Sequence, residues 1–168
     1  MTDGLWCECR TPLAWHVVTD SDLSLPDKIR QASLLLTALN NMEGMHEMEH
    51  ASTENRRLER LESKLDLALY LLAKTLDHGP ASEPRLVRLS PDGIEWEDTA
   101  PPLEEQRLIV EMRPSDALPL SLELPVVAMA PAKNLARARL LSISEPLNDA
   151  LYQFVFRRHR QAIRARAG

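Results

Sequence analysis

The chain has 168 residues, of which 44% are hydrophobic and 27% are charged, and its formal net charge is −5. This length suits one domain with additions, and the composition is ordinary for a globular protein. The negative charge excludes an overall basic field that would attract nucleic acid. The first ten residues lack the basic start and apolar core of a secretory signal. The apolar run 117–132 contains Glu123 and three prolines, so we predict no membrane span. Two cysteines make no disulfide framework, and we expect a cytoplasmic protein.

The N-terminal part predicts one strand followed by one helix. Residues 13–18, with the sequence LAWHVV, contain β-branched and aromatic side chains typical of a strand. Ser24 can cap a helix and Pro26 suits its first turn. Apolar residues at helical spacing continue this segment, which predicts a helix over 24–43.

A second helix is predicted over 54–77 by a row of leucines. They recur in steps of three and four residues, which places them on one side of a helix. The second half of this helix is apolar all round and must therefore be covered from several directions. The broad apolar face suits three or four helices better than two, so we predict self-association with a tetramer favoured. The predicted interface consists of Leu58, Leu61, Leu65, Ala68, Leu69, Leu72 and Leu76. The alternative is that the row packs on helix 24–43 within one chain, as an αα-hairpin.

After residue 84 the apolar pattern changes to a period of two. Strands are predicted at 85–89, 94–96, 106–113, 118–129 and 136–144, with a turn at 90–93. Such short strands separated by turns predict a small antiparallel barrel or sandwich. The chain closes with a helix that Ser144 can cap and whose apolar face begins at Leu147.

The closing helix carries a cluster of arginines near its end. They are Arg157, Arg158, Arg160, Arg164 and Arg166. No aromatic residue is interleaved with this run, and the whole chain is acidic. We therefore interpret it as a solvated helix end that the helix dipole favours, and we expect no nucleic-acid partner.

The segment 87–94, with the sequence VRLSPDGI, resembles the Asp/Asn-x-Ser-x-x-Gly turn of the PilZ domain family, with Ser90 and Gly93 in place. The elements over 108–112, 120–129, 136–144 and 147–160 also resemble that family in their order. The resemblance implies an α+β fold, a six-stranded antiparallel β-barrel with a C-terminal helix. It also implies that many relatives bind the bacterial second messenger cyclic di-GMP.

The resemblance divides the chain into three parts. Residues 1–23 would hold the N-terminal segment with the first barrel strand. Residues 24–79 would be an insertion of two long helices that form a coiled-coil oligomerisation module. Residues 80–168 would complete the barrel and add the C-terminal helix.

The ligand motifs of the family are degenerate in this chain. Arg88 stands where the family has Asp or Asn. The family's Arg-x-x-x-Arg motif should precede the first strand, where only Arg10 is found, and position 14 is alanine. The resemblance implies that paired arginines grip the guanines and phosphates through forked bonds, which one arginine alone cannot do. We therefore expect that the chain does not bind cyclic di-GMP in the usual way, with Arg88, Ser90 and Gly93 as the remaining ligand positions. An alternative is a receptor that uses Arg85 and Arg88 beside Ser90.

One further motif invites metal chemistry. His46-Glu-Met-Glu-His50 fits the His-Glu-x-x-His pattern, which on a helix places two imidazoles on one face with Glu47 as a base. Glu49 puts a charge inside the motif, and the sequence offers no clear third ligand. We interpret the segment as a polar connector and expect no metal and no cofactor, with a zinc hydrolase as the second alternative.

These patterns together predict a non-enzymatic signalling or adaptor protein. A degenerate barrel would carry a self-associating helix and engage protein partners. The resemblance implies a role in motility, type IV pilus or virulence control.

Overall fold

A computed structural model describes residues 5–19, 24–44, 83–115, 121–141 and 144–167, together with 57, 60, 61, 63–65, 67, 68 and 72. The strands are β1 (Cys7–Val17), β2 (Pro84–Leu89), β3 (Gly93–Glu97), β4 (Arg107–Met112), β5 (Leu122–Ala132) and β6 (Leu135–Leu140). The helices with printed bounds are α1 (Leu25–Gly44) and α2 (Glu145–Ala167). Every described residue between 57 and 72 is also helical, and we call this segment the middle helix.

The six strands form a closed antiparallel barrel in the order β1-β2-β3-β6-β5-β4, with β4 pairing back to β1. This confirms the predicted barrel with a C-terminal helix. It also confirms that the helical segments lie between the first and second strands. The period of two in the apolar pattern predicts this architecture, because alternate residues of each strand face the barrel interior.

The first strand begins at Cys7, not at residue 13 as the sequence predicted. Proline cannot donate to a ladder, so Pro12 resembles a strand boundary in the sequence. In the structure β1 pairs with β2 up to Pro12 and with β4 from Leu13 onward, so the proline lies where the strand changes partner. Arg10 therefore lies inside β1, paired with Leu86. The sequence before the barrel, MTDGLW, contains no arginine.

One hydrophobic core joins the barrel and the helices. Helix α1 packs against β5 and α2, and its Leu35, Leu36 and Leu39 are at most 2% exposed. Asn40 Nδ2 donates a hydrogen bond to the Ala150 carbonyl of α2 at 2.8 Å. The described parts of the predicted 24–79 module thus share their core with the barrel, since α1 and Leu67 belong to the same cluster.

A buried carboxylate lies directly after strand β3 and is bound by several partners. Asp98 is 8% exposed, and its Oδ2 accepts hydrogen bonds from Trp15 Nε1 at 2.8 Å and Trp96 Nε1 at 3.1 Å. Arg85 pairs with the same oxygen, and the Ala100 N–H bonds Oδ1 at 3.0 Å. Burial alone would raise the pKa of Asp98, but these hydrogen bonds and the Arg85 charge outweigh it and lower the pKa below its usual value.

Asp98→Asn should lower the free energy of unfolding at neutral pH by about 1–3 kcal/mol, because the Arg85 charge loses its buried partner. The pKa of Asp98 is lowered in the folded state, so its contribution is complete above about pH 4 and is lost as the pH falls through the folded value. The variant should therefore lose less stability in acid than the wild type. Urea unfolding across a pH series, followed by tryptophan fluorescence, measures this difference. Asp92→Asn, at an exposed carboxylate, is the matched control, and equal acid losses in wild type and Asp98→Asn would contradict the prediction.

Candidate functional site

The middle helix presents a row of apolar side chains to solvent. Leu61, Leu65 and Leu72 are 60%, 63% and 66% exposed, and Ala68 is also exposed. The steps between them are four, three and four residues, so they lie on one side of the helix. We call Leu61, Leu65, Ala68 and Leu72 the leucine row. The other predicted interface residues, Leu58, Leu69 and Leu76, lie outside the described residues.

The opposite side of the same helix faces the protein body. Leu67 is 6% exposed and belongs to the hydrophobic core, while Arg60 and Ser63 are half-buried. These three residues follow the spacing i, i+3, i+7, which defines one helix face. The middle helix therefore attaches through this face, and the leucine row points away from the core. Since the row is exposed in the single chain, α1 does not cover it as the αα-hairpin alternative required.

The predicted ligand turn is closed by its own side chains. The Ser90 hydroxyl accepts a hydrogen bond from the Gly93 N–H at 3.1 Å and lies 3.1 Å from the Gly93 carbonyl oxygen, to which it can donate. The Ser90 N–H also donates to that carbonyl at 2.9 Å. Ser90 is 5% exposed. Its hydroxyl group therefore stabilises the turn between β2 and β3 through hydrogen bonds to Gly93.

Gly93 is required by the approach of the neighbouring strand. A Cβ at this position would lie 2.4 Å from the Ala138 carbonyl oxygen of β6. Gly93 pairs with Arg139 in the antiparallel ladder between β3 and β6. The glycine of the motif is therefore explained by barrel closure.

Arg88 is held by partners that the sequence analysis missed. Its Nε donates to Glu8 Oε2 at 2.8 Å, and its guanidinium lies 5.1 Å from the centre of the Trp6 ring. The hydrogen bond to Glu8 raises the pKa of Arg88 above its usual value. Trp6 also packs edge-on against His159, whose Nδ1 lies 2.9 Å from the Trp6 carbonyl oxygen. The available signal was the pairing of Glu8 with Arg88 across β1 and β2, which could be read only once β1 was known to begin at Cys7.

The structure does not bring Arg85 and Arg88 together. They lie three residues apart on β2, and an odd spacing directs side chains to opposite faces of a strand. Arg85 points to the Asp98 cluster, whereas Arg88 points to Glu8 on the outer side. The two guanidinium groups therefore cannot converge on one anion in this arrangement.

The residues of the zinc hydrolase alternative, His46, Glu47 and His50, lie outside the described residues. Among the residues that the structure describes, no group of three His, Cys, Asp or Glu side chains could hold a metal ion. Burial raises the pKa of the Cys7 thiol to about 12, so this cysteine is protonated at neutral pH. No helix within the described part of the chain is long and apolar enough to cross a membrane.

The closed barrel, the C-terminal helix and the helices inserted after β1 define a PilZ-type domain. The family model described as "Atypical PilZ domain, cyclic di-GMP receptor" matches residues 34–167, and the chain belongs to this atypical PilZ family.

One solved structure resembles the chain over nearly its whole length. It is a crystal structure of a pathogenic protein from Xanthomonas campestris, described as a new tetrameric PilZ domain self-assembled via an unusual helical bundle. The two chains are 28% identical with a TM-score of 0.72, and the match covers 98% of this chain and 93% of the other. No curated protein matches the sequence.

Gly93→Ala should destabilise the protein by about 1–3 kcal/mol or more, because its Cβ would overlap a backbone carbonyl of β6 that cannot rotate away. Thermal or urea unfolding measures the loss. Asp92→Ala, an exposed position in the same turn, is the control and should change stability by less than about 0.5 kcal/mol. A Gly93→Ala variant as stable as this control would show that the close approach of β6 is not required.

Proposed function

We propose that this protein is a cytoplasmic, non-enzymatic assembly protein that self-associates through the leucine row, with a tetramer favoured. One observation carries the proposal: the middle helix buries Leu67 in the core while its leucines at 61, 65 and 72 remain exposed on another side. The side of the helix that meets the protein body is thus separate from the side that we assign to other copies.

The spacing and exposure of the row fit a helical bundle. Leu61, Leu65, Ala68 and Leu72 have the alternating steps of a heptad core. Completing the burial of each exposed leucine would contribute roughly 1–2 kcal/mol, whereas bringing chains together costs an estimated 4–15 kcal/mol. In a bundle each row contacts two neighbouring helices, so more apolar surface is buried per chain than in a pair. This larger burial offsets more of the free-energy cost of association. The tetrameric relative, similar along 98% of this chain, supports the same arrangement.

We also propose that the barrel does not bind cyclic di-GMP in the usual way. Arg88 is engaged by Glu8 and Trp6, and Ser90 is engaged by Gly93. The alternative set of Arg85 and Arg88 lies on opposite faces of β2. Arg88 and Ser90 are thus already engaged by partners within the chain. We therefore expect that these positions do not bind the dinucleotide as in other members of the family.

The assembled barrels would then act by contacting other proteins. An assembly that presents several copies of one barrel surface gains affinity for a repeated partner through effective concentration. We propose such partners in motility, type IV pilus or virulence control.

In dilute solution, Leu65→Asp with Leu72→Asp should convert the helical bundle to monomers, because two charges would be buried at the bundle core of every chain. Light scattering or sedimentation gives the mass directly. Both side chains are more than 60% exposed in the single chain, so the fold should persist, as circular dichroism can verify.

The matched control is Leu103→Asp, because Leu103 is 71% exposed but lies outside the row. This variant should keep the wild-type mass. A wild-type protein that is already monomeric, or a double variant whose mass is unchanged, would refute the proposed interface.

Calorimetric titration of the wild-type protein with cyclic di-GMP should give no saturable heat. Glu8→Gln releases Arg88 from its ion pair, and this variant should also fail to bind, because Arg85 cannot join Arg88 on the same face. Saturable binding to the wild type that Arg88→Ala abolishes would instead establish the non-standard receptor.

A further inference from the structure

The outer side of α2 carries exposed apolar side chains in the middle of a charged helix. Tyr152, Phe156 and Ile163 are 52%, 43% and 54% exposed, and the spacing i, i+4, i+11 places them on one face. The rings of Tyr152 and Phe156 are stacked, with centres 6.2 Å apart and planes at 6°. The Arg160 guanidinium lies 5.8 Å from the Phe156 ring. No aromatic residue lies within the arginine run 157–166, but the ring of Phe156, directly before the run, comes next to Arg160 through helical spacing.

The charges on this face change sign along its length. Glu145 and Asp149 precede the two rings, and Arg160 and Arg164 follow them, all four being exposed. The pair Glu145–Arg164 and the pair Asp149–Arg160 have the same midpoint, between Phe154 and Val155. Tyr152 and Phe156 lie on either side of that midpoint. We call these six residues, Glu145, Asp149, Tyr152, Phe156, Arg160 and Arg164, the outer face of α2.

The helix dipole accounts for only part of this pattern. It favours acids in the first turn and arginines in the last turns. It does not explain why two large rings and Ile163 stay exposed on the same face. It also does not explain the end of the helix, where residues 160–165 are exposed on every side. Helices in proteins gain most of their stability from packing, yet the side chains at positions 160–165 remain exposed.

We propose that the outer face of α2 pairs antiparallel with the same face of a second copy of this chain. A two-fold axis near Phe154 and Val155 would bring Asp149 of one copy to Arg160 of the other, and Glu145 to Arg164. The rings of both copies would meet at the centre, and each projecting helix end would lie over the first turns of the other helix. The pattern is self-complementary, which an isologous contact requires.

A second copy fits this face better than an anionic surface does. A membrane or an acidic protein would attract Arg160 and Arg164 but repel Glu145 and Asp149, which lie on the same face. Antiparallel self-pairing places each of the four charges opposite a charge of the other sign. The contact is separate from the leucine row, so both could act in one chain and would link bundles into larger assemblies.

The test uses the full chain carrying Leu65→Asp and Leu72→Asp, so that only the α2 contact remains. Sedimentation equilibrium between about 10 µM and about 500 µM covers the range of a small, weak interface, and a dimer is expected. Arg160→Glu with Arg164→Glu should weaken this dimer at least about tenfold, because like charges then face each other. Glu145→Lys with Asp149→Lys should do the same.

The decisive measurement mixes these two charge variants. Each is repulsive with itself, but together they restore opposite charges at both ends of the contact, so the mixture should dimerise like the parent chain. Tyr152→Ala with Phe156→Ala should abolish the dimer without unfolding, which circular dichroism checks.

Three results would overturn the proposal: a parent chain that is monomeric at every concentration, a dimer that both charge variants leave unchanged, or a mixture that does not associate. Binding of the monomeric parent to vesicles containing anionic lipid, with no dimer, would assign the face to a membrane instead. If the leucine substitutions leave the mass unchanged, the bundle proposal fails, but the same mixing experiment in the wild-type background still decides the α2 contact.

Discussion

The middle helix has apolar side chains on two sides, and one surface of the chain cannot cover both. Leu67 enters the core of its own chain, whereas Leu65, two residues earlier, lies in solvent. Because successive helical residues point about 100° apart, one helix can serve two surfaces at once. The core of the same chain covers the first surface only. The proposed self-association follows from this constraint.

The turn motif shows how a ligand-binding pattern can persist for structural reasons. Ser90 and Gly93 satisfy the family pattern, yet the serine hydroxyl closes the turn and the glycine admits β6. Their presence therefore carries no information about binding. Arg88 is the informative position, and its side chain is paired with Glu8 and stacked on Trp6. In this chain the fold needs two of the motif's positions, whatever the barrel binds.

The barrel was predictable because several of its strands alternate apolar and polar residues, as in residues 135–140. The start of β1 was not predictable, because a strand that changes its pairing partner at Pro12 resembles a strand end in the local sequence.

The leucine row was visible from spacing alone, but spacing could not say which leucines face the core. That choice depends on where the barrel and α1 lie, which is tertiary information. The outer face of α2 was missed for a related reason. The two rings precede all five arginines of the cluster in sequence, and Phe156 meets Arg160 only because helical residues four apart lie on one face.

The position of the helices between β1 and β2 affects the order in which the molecule is made. Strand β1 ends at Val17, and its partner β2 begins only at Pro84. Closing this long gap costs chain entropy that only the finished barrel repays, which makes barrel formation a slow, non-local step. A ribosome synthesises the leucine row before five of the six strands. In the proposed assembly, neighbouring nascent chains on one messenger RNA would then meet through their leucines before their barrels are complete, which would favour assembly from chains of the same transcript.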